Sequence, residues 1–221
     1  MATASARTLA VARGKPENVA QLLKRLGNIP GFRVRLQPPP GSATEKDLIR
    51  HNESKFKTAI CELVDGTLVE KAMGWNESEI AIVIAASLLY FVRPRKLGKV
   101  LGADGMQRMV PGLIRVPDVS YFARGRLTRS QHLATPIAPI AGDLVVEVVS
   151  KSNTKAEIAR KLTEYFAAGS RLAWVVEPKP QTVRVHTAPD EFVVLGLDDW
   201  LDGGDVLPGF RLAVRELFEI E

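Results

Sequence analysis

The strongest constraint on the fold lies in residues 143–150, which read DLVVEVVS. Apolar side chains occupy successive positions, and a strand that is apolar on both faces is typical of the centre of a sheet that is covered on both sides. Glu147 interrupts this run. A carboxylate inside a central strand costs free energy unless a cation or well-formed hydrogen bonds compensate its charge. The segment therefore predicts a central strand with a charged site built into it.

The segments on either side of this strand predict a mixed α/β (α+β) chain. A helix follows the strand, because Thr154 and Glu157 match a capping box and Gly169 provides a stop. The core stripe of this helix is predicted to contain Ile158, Leu162, Tyr165 and Phe166. The other predicted elements are a hairpin over 59–73 that turns at Asp65 and Gly66, a buried helix over 76–95 that ends at Pro94, two or three strands in 98–122, an irregular basic loop over 123–142, strands over 171–177 and 182–187, and a final edge strand with a short helix. This order predicts a mixed β-sheet with helices on both faces.

The chain divides into a short arm and one domain. A length of 221 residues suits a single domain with a small appendage. Residues 1–44 are predicted to be an N-terminal arm, with a helix over 16–27 and a strand over 31–37, and this arm is too short for a core of its own. Residues 45–221 are predicted to form the main domain.

Composition limits the classes of function. A single cysteine, Cys61, excludes an internal disulfide framework and fits a reducing cytoplasm. The longest apolar run, residues 80–92, is too short to span a bilayer, so no membrane partner is expected, and the N-terminus lacks the continuous apolar stretch of a signal peptide. The net charge of +5 and the pI of about 9.4 are compatible with an anionic partner such as nucleic acid, but do not establish one.

A second carboxylate stands in an unusual position. Asp118 follows Pro117 inside the apolar run LIRVPDVSYF, and proline in such a run marks a strand edge, a strand start or a bulge. If Asp118 and Glu147 lie on neighbouring strands, they could hold one Mg²⁺, with the carbonyl of Val148 as a third ligand and Mn²⁺ as a substitute ion. Such an ion lowers the pKa of a bound water and offsets charge on a phosphoryl oxygen.

Four segments in order resemble one protein family. They read CELVDGTLVEKAM, RVPDVSYF, DLVVEVVSKSN and RKLTEYFAAGSRLAWVVEP, and the terminal DGGDVLPGFRLAVRELF is similar as well. Together, over about residues 45–221, they resemble the Uma-two family of restriction-endonuclease-like proteins, a branch of the PD-(D/E)XK nuclease superfamily. The resemblance implies a restriction-endonuclease-like mixed sheet flanked by helices, and Mg²⁺-dependent hydrolysis of DNA phosphodiester bonds.

The resemblance also implies roles for individual residues. Asp118 matches the aspartate of the PD element, and Glu147 matches the first acid of the (D/E)XK element. Val149 stands where the superfamily lysine usually stands, and the family is similar in lacking it there. Lys161, on the following helix, matches the family's helix lysine, and on a helical wheel it lies about 60° from the centre of the buried stripe, at the border of core and solvent. Glu62 matches an acid that the family usually has in the first hairpin strand, where it could complete the metal site or bind a second ion.

Each of these residues also has a purely structural interpretation. Asp118 could bridge a turn, Glu147 could belong to a buried ion pair, and Lys161 could extend its ammonium group to water. Glu62 could form a cross-strand salt bridge. On the same helical wheel Arg160 and Glu164 are predicted to point outward. Three arginines of the basic loop are candidates for phosphate contacts, with a solvated loop as the equal alternative: Arg124, Arg126 and Arg129.

Two functions therefore remain open. The first is a Mg²⁺-dependent endonuclease in which Asp118 and Glu147 hold the ion and Lys161 stabilises the transition state. It is expected to be a homodimer, because cutting two strands usually needs two sites. The alternative is a catalytically inactive nucleic-acid-binding or partner-binding module on the same scaffold. Val149 favours it, as does Lys151, which stands where members of the resembled family usually have proline.

Overall fold

The computed structural model describes residues 16–72, 74–128, 130–131 and 136–219. The helices are α1 (Val19–Arg25), α2 (Glu45–Glu53), α3 (Trp75–Arg95) and α4 (Lys155–Ala167). The strands are β1 (Cys61–Val64), β2 (Thr67–Glu70), β3 (Gly98–Leu101), β4 (Gln107–Val110), β5 (Leu113–Arg115), β6 (Val119–Ala123), β7 (Leu144–Val148), β8 (Leu172–Glu177), β9 (Thr182–Ala188), β10 (Glu191–Leu195), β11 (Trp200–Gly203) and β12 (Leu207–Ala213).

The largest sheet has six strands in the order β10-β9-β8-β7-β6-β3. Strand β7 lies inside it, antiparallel to β6 and parallel to β8, and every residue of β7 is buried. The predicted central strand and mixed sheet are therefore confirmed. Helix α4 forms the crossover between the two parallel strands, as such a connection requires.

A smaller sheet of four strands has the order β2-β1-β5-β4. Its β1–β2 hairpin turns at Asp65 and Gly66, which both have positive φ, as a two-residue turn of this kind requires. The predicted hairpin is confirmed. The interval 98–122 contains four strands rather than two or three, because β4 and β5 join this smaller sheet while β3 and β6 join the large one. Strands β11 and β12 form a separate ribbon near the end of the chain.

Helix α4 lies between the two sheets, and this decides the environment of the site. Ile158 and Leu162 of α4 share one core cluster with Val145 of β7 and with Val64 and Leu113 of the smaller sheet. A helix covered from both sides has a much wider buried surface than the single stripe of an ordinary surface helix. Charged residues on its flanks are therefore enclosed as well.

Helix α3 covers the opposite face of the large sheet. Ile84 and Leu88 pack in a cluster that includes Trp174 of β8. The helix predicted to be buried is buried only on the side that faces the sheet, and its outer side stays exposed. Pro94 lies inside its last turn rather than ending it, and the helix ends one residue later, before Lys96 in the left-handed region. By length and composition alone α3 could also cross a membrane, a weak indication because the core helix of a soluble protein passes the same test.

The arm packs against α4 over its described part. Leu22 and Leu26 lie in the same core cluster as α4, and Asn18 caps α1 by accepting a hydrogen bond from the Gln21 amide. The strand predicted over 31–37 is wrong. The chain forms a 3₁₀ turn over Gly31–Arg33 and then a single bridge, because the Arg33 guanidinium is drawn inward to the Glu157 carboxylate at 2.7 Å.

Candidate active site

Glu147 projects from the centre of β7 towards α4, where two side chains meet its carboxylate. The Lys161 ammonium lies 2.9 Å from Oε2, and the Tyr165 hydroxyl donates a hydrogen bond to Oε1. Lys161 and Tyr165 are one helical turn apart, so both project from the same side of α4. Glu147 is only 5% exposed, and the pair of donors from α4 explains how a carboxylate is tolerated in a central strand.

The buried charges around Glu147 shift its pKa and that of Lys161 upward. Burial raises the pKa of Glu147, and the charges of Asp118 and Glu62 also raise it, while the ammonium groups of Lys161 and Lys71 lower it by less in total. Burial alone would lower the pKa of Lys161, but the carboxylates of Glu147 and Glu62 raise it above its ordinary value. Lys161 therefore remains an ammonium group, and Glu147 is the group that accepts a proton as the pH falls.

Glu62 continues the cluster into the smaller sheet. Its Oε1 lies 3.2 Å from the Lys161 ammonium and accepts a hydrogen bond from the Val116 amide at 3.0 Å. Its Oε2 lies 2.8 Å from Arg115, whose Nε reaches Glu164 at 2.6 Å. Burial works against ionisation of Glu62, but the charges of Lys161 and Arg115 lower its pKa to about 2. We call Glu62, Arg115 and Glu164 the closed network.

Asp118 contacts the backbone of β7 along the edge that pairs with β6, at a bend just before β6. Its amide donates to the Val146 carbonyl at 3.0 Å, and its Oδ2 accepts a hydrogen bond from the Val148 amide at 2.7 Å. Asp118 is thus bound to the residues on both sides of Glu147. The proline before it explains this geometry, since Pro117 cannot continue the ladder and the aspartate side chain replaces a backbone acceptor.

Lys71 is the cation that faces Asp118. Its ammonium lies 2.8 Å from Asp118 Oδ1 and donates to the Ala103 carbonyl at 3.0 Å. Lys71 directly follows β2, so the smaller sheet places this positive charge next to the edge of the six-stranded sheet. We call Lys71 and Asp118 the open pair, because Asp118 lines a cavity of about 120 Å³.

The cavity lies between the start of α3 and the segment after β3. Besides Asp118, its polar lining side chains are Glu77 and Ser78, both from the first turn of α3. Glu147 is not among the lining residues. The two predicted metal-binding acids are therefore neighbours with different access, since Asp118 faces the cavity and Glu147 lies behind it.

The donor set agrees in kind with a divalent ion of the magnesium type. Mg²⁺ is typically held by one or two carboxylates and keeps several waters, so Asp118, Glu147 and the Val148 carbonyl would be sufficient in number. Within the described residues no group of three or more His, Cys, Asp or Glu side chains has the arrangement of a metal site. The position at Asp118 Oδ1 already attracts a positive charge, namely the Lys71 ammonium.

Comparison with known families matches residues 53–215 to the Uma2 family, described as "Putative restriction endonuclease". The chain belongs to the Uma2 family. Among solved structures, one described as a putative nuclease belonging to DUF820, from Anabaena variabilis, is similar with a TM-score of 0.68 and 20% identity, covering 79% of this chain and 97% of that chain. At this identity the likeness shows the fold alone. A comparison with curated proteins gives no match.

Uma2 membership and the similar solved structure confirm the resemblance and the restriction-endonuclease-like fold.

Two details of the predicted site are wrong. Lys161 lies in the interior rather than at the border with solvent, and Glu164 does not point outward, because both are covered by the smaller sheet. Arg160, also predicted to point outward, is partly covered by its ion pairs with Glu164 and Asp65. A single helical wheel cannot predict this, since it contains no information about a second covering layer.

Two of the three arginines of the basic loop lie within the described residues. Arg126 pairs with Asp143 at 3.4 Å, and Arg124 is exposed. Arg129 lies outside the described residues. A phosphate-binding role for this loop therefore stays a prediction.

Sequence reasoning missed three participants in this Uma2 site. Arg115 stands inside the apolar run LIRVP, so the argument that singled out Glu147 would have found it too. Tyr165 is predicted to lie in the core stripe of its helix. This is correct for its ring, but the stripe does not predict that its hydroxyl binds Glu147. Lys71 carries no comparable signal, because a lysine directly after a strand is usually solvated.

Proposed function

We propose that this protein is a Mg²⁺-dependent endonuclease that hydrolyses phosphodiester bonds of DNA. The observation that carries the proposal is the pairing of Asp118 with the backbone on both sides of Glu147, beside a cavity that reaches Asp118. Carboxylates that are held in ion pairs and that no ligand can reach would have only a structural role. A carboxylate at a cavity, next to a second acid with a raised pKa, is typical of a site that binds a ligand.

In this proposal the residues of the cluster have different roles. Asp118, Glu147 and the Val148 carbonyl would hold Mg²⁺ or Mn²⁺, and the bound ion would supply an activated water and offset phosphoryl charge. Lys161 and Tyr165 orient Glu147 by occupying both of its oxygens. Glu62 keeps Lys161 charged and in place.

A surface depression next to the cavity offers two lysines for contacts with a nucleic acid. Lys151 and Lys179 line a surface depression of about 670 Å³ together with Glu177 and with Glu77, which also lines the cavity at Asp118. Lysine side chains contact the phosphate backbone without reading sequence. A DNA strand lying across Lys151 and Lys179 would therefore pass the rim of the cavity.

The test is cleavage of supercoiled plasmid and of a labelled linear duplex with Mg²⁺ or Mn²⁺. Glu147→Gln and Asp118→Asn keep the size of each side chain and remove its charge, so each should slow cleavage at least about a hundredfold. Glu191→Gln is the matched control, because Glu191 is exposed on β10 and should leave the rate unchanged. Circular dichroism checks that all variants are folded.

Two results would count against the proposal. If Glu147→Gln cleaves like the wild type, the activity belongs to another site or to a contaminant. If DNA binds but no divalent ion supports cleavage, the protein is a binding module on a nuclease scaffold. The specific observation that favours this alternative is that both acids already have ammonium partners, Lys161 and Lys71.

A further inference from the structure

The outer face of α3 is an apolar surface that no described residue covers. On a helical wheel Ile82, Ala86, Leu89 and Tyr90 fall on one side of the helix. Ile82 is 65% exposed and Tyr90 86% exposed. A connected apolar stripe of this kind marks a surface that binds a partner.

The charges on this stripe indicate which partner. Glu79 and Arg93 are both exposed on the same side of α3, each seven residues from Ala86. With a rise of about 1.5 Å per residue, each lies about 10 Å along the axis from Ala86. A two-fold axis at Ala86 that pairs two antiparallel α3 helices therefore brings Glu79 of one copy opposite Arg93 of the other, twice.

We propose that α3 is a dimer interface that binds a second copy of this chain, antiparallel, with Ala86 at the two-fold axis. The same symmetry brings Ile82 of one copy beside Leu89 of the other, and Tyr90 beside Val83, so the apolar residues also pair. The small Ala86 side chain lets the two backbones approach at the crossing point.

A lipid surface fits these residues less well than a second copy does. Glu79 lies within the stripe, and a bilayer offers it no complementary charge, whereas the antiparallel copy offers Arg93. The inner side of α3 is part of the protein core through Ile84 and Leu88, so the helix cannot leave the fold without exposing them. Because Ile82 also lines the cavity at Asp118, the pairing brings the second copy close to the rim of each cavity.

The test is sedimentation velocity of the full chain over a range of concentrations, combined with a charge exchange. The wild type should dimerise reversibly. Glu79→Arg alone places like charges against Arg93, and Arg93→Glu alone places like charges against Glu79, so each should raise the dimer dissociation constant at least about tenfold. An equimolar mixture of the two variants should recover dimerisation, because each mixed pair again joins opposite charges.

Further variants and a lipid assay separate the possible outcomes. Ala86→Arg should abolish the dimer, while Phe56→Arg, at a residue 94% exposed on another segment, should not affect it. A wild type that stays monomeric, or a dimer that ignores Ala86→Arg and the charge exchange, would overturn the proposal. So would a monomer that floats with anionic phospholipid vesicles and loses this binding in Ala86→Arg. None of these measurements depends on DNA cleavage, so the interface and the nuclease proposal can fail separately.

Discussion

Two sets of buried charges surround Glu147, and they differ in access rather than in chemistry. The closed network of Glu62, Arg115 and Glu164 lies between the smaller sheet and α4, with all three side chains almost completely buried. The open pair of Lys71 and Asp118 also has short contacts, but Asp118 borders a cavity. Both sets satisfy the rule that buried charges are paired. Only the open pair can exchange its partner for a ligand without dismantling the fold.

The two sets of charges around Glu147 are therefore expected to affect different properties of the protein. Glu147 touches the closed network through Lys161 and approaches the open pair through the backbone of β7. We expect changes in the closed network to act mainly on the free energy of unfolding. Changes in the open pair should act mainly on ion binding and, under the proposed function, on cleavage.

The largest expected effect is that of Arg115→Met. It removes the only guanidinium that joins Glu62 to Glu164 among the described residues, and leaves two buried carboxylates with weaker compensation. Breaking a buried pair in this way should lower the free energy of unfolding by about 3–5 kcal/mol, measured by urea denaturation. Arg124→Met is the control, since Arg124 is exposed and its replacement should cost less than about 0.5 kcal/mol. Equal effects of the two changes would remove the basis for a closed network.

A medium effect is expected from Lys71→Met in the open pair. Without the ammonium at Asp118 Oδ1, a divalent ion meets one fewer like charge, so Mn²⁺ should bind about tenfold more tightly. Electron paramagnetic resonance of free Mn²⁺ measures this without any cleavage assay. Lys151→Met removes the same charge from an exposed position and should change the affinity much less. Weaker Mn²⁺ binding in Lys71→Met would mean that Lys71 supports the ion instead of competing with it.

The third expected effect is a change in pH dependence. The pKa of Glu62 is lowered from 4.5 to about 2, so ionised Glu62 stabilises the fold above about pH 4.5, and this contribution is lost as the pH falls towards 2. In Glu62→Gln the free energy of unfolding should therefore decrease less steeply over that interval. Urea denaturation at several pH values gives both slopes. Parallel slopes would show that Glu62 is not held in its ionised form by Lys161 and Arg115.

The sequence supplied the acids of the site because their positions conflict with their surroundings. A carboxylate in an apolar strand and an aspartate after a proline are local signals, and the structure brings Glu147 and Asp118 to adjacent backbone positions. Arg115 had the same signal. Lys71 had none, because its partner is 47 positions away in the chain and nothing near Lys71 requires it to be buried.

The sequence by itself determined the central strand, the hairpin and the capped helix after β7, because each depends on residues that are close in the chain. It also determined the family, because that resemblance depends on the residues of several segments and their order, not on contacts between them. Only the tertiary structure decided that α4 is covered on both sides and that α3 is covered on one. Burial depends on which layers meet, and that is a property of contacts between distant segments. For the same reason the structure alone separates Asp118, which faces a cavity, from Glu147, which is enclosed by Lys161 and Tyr165.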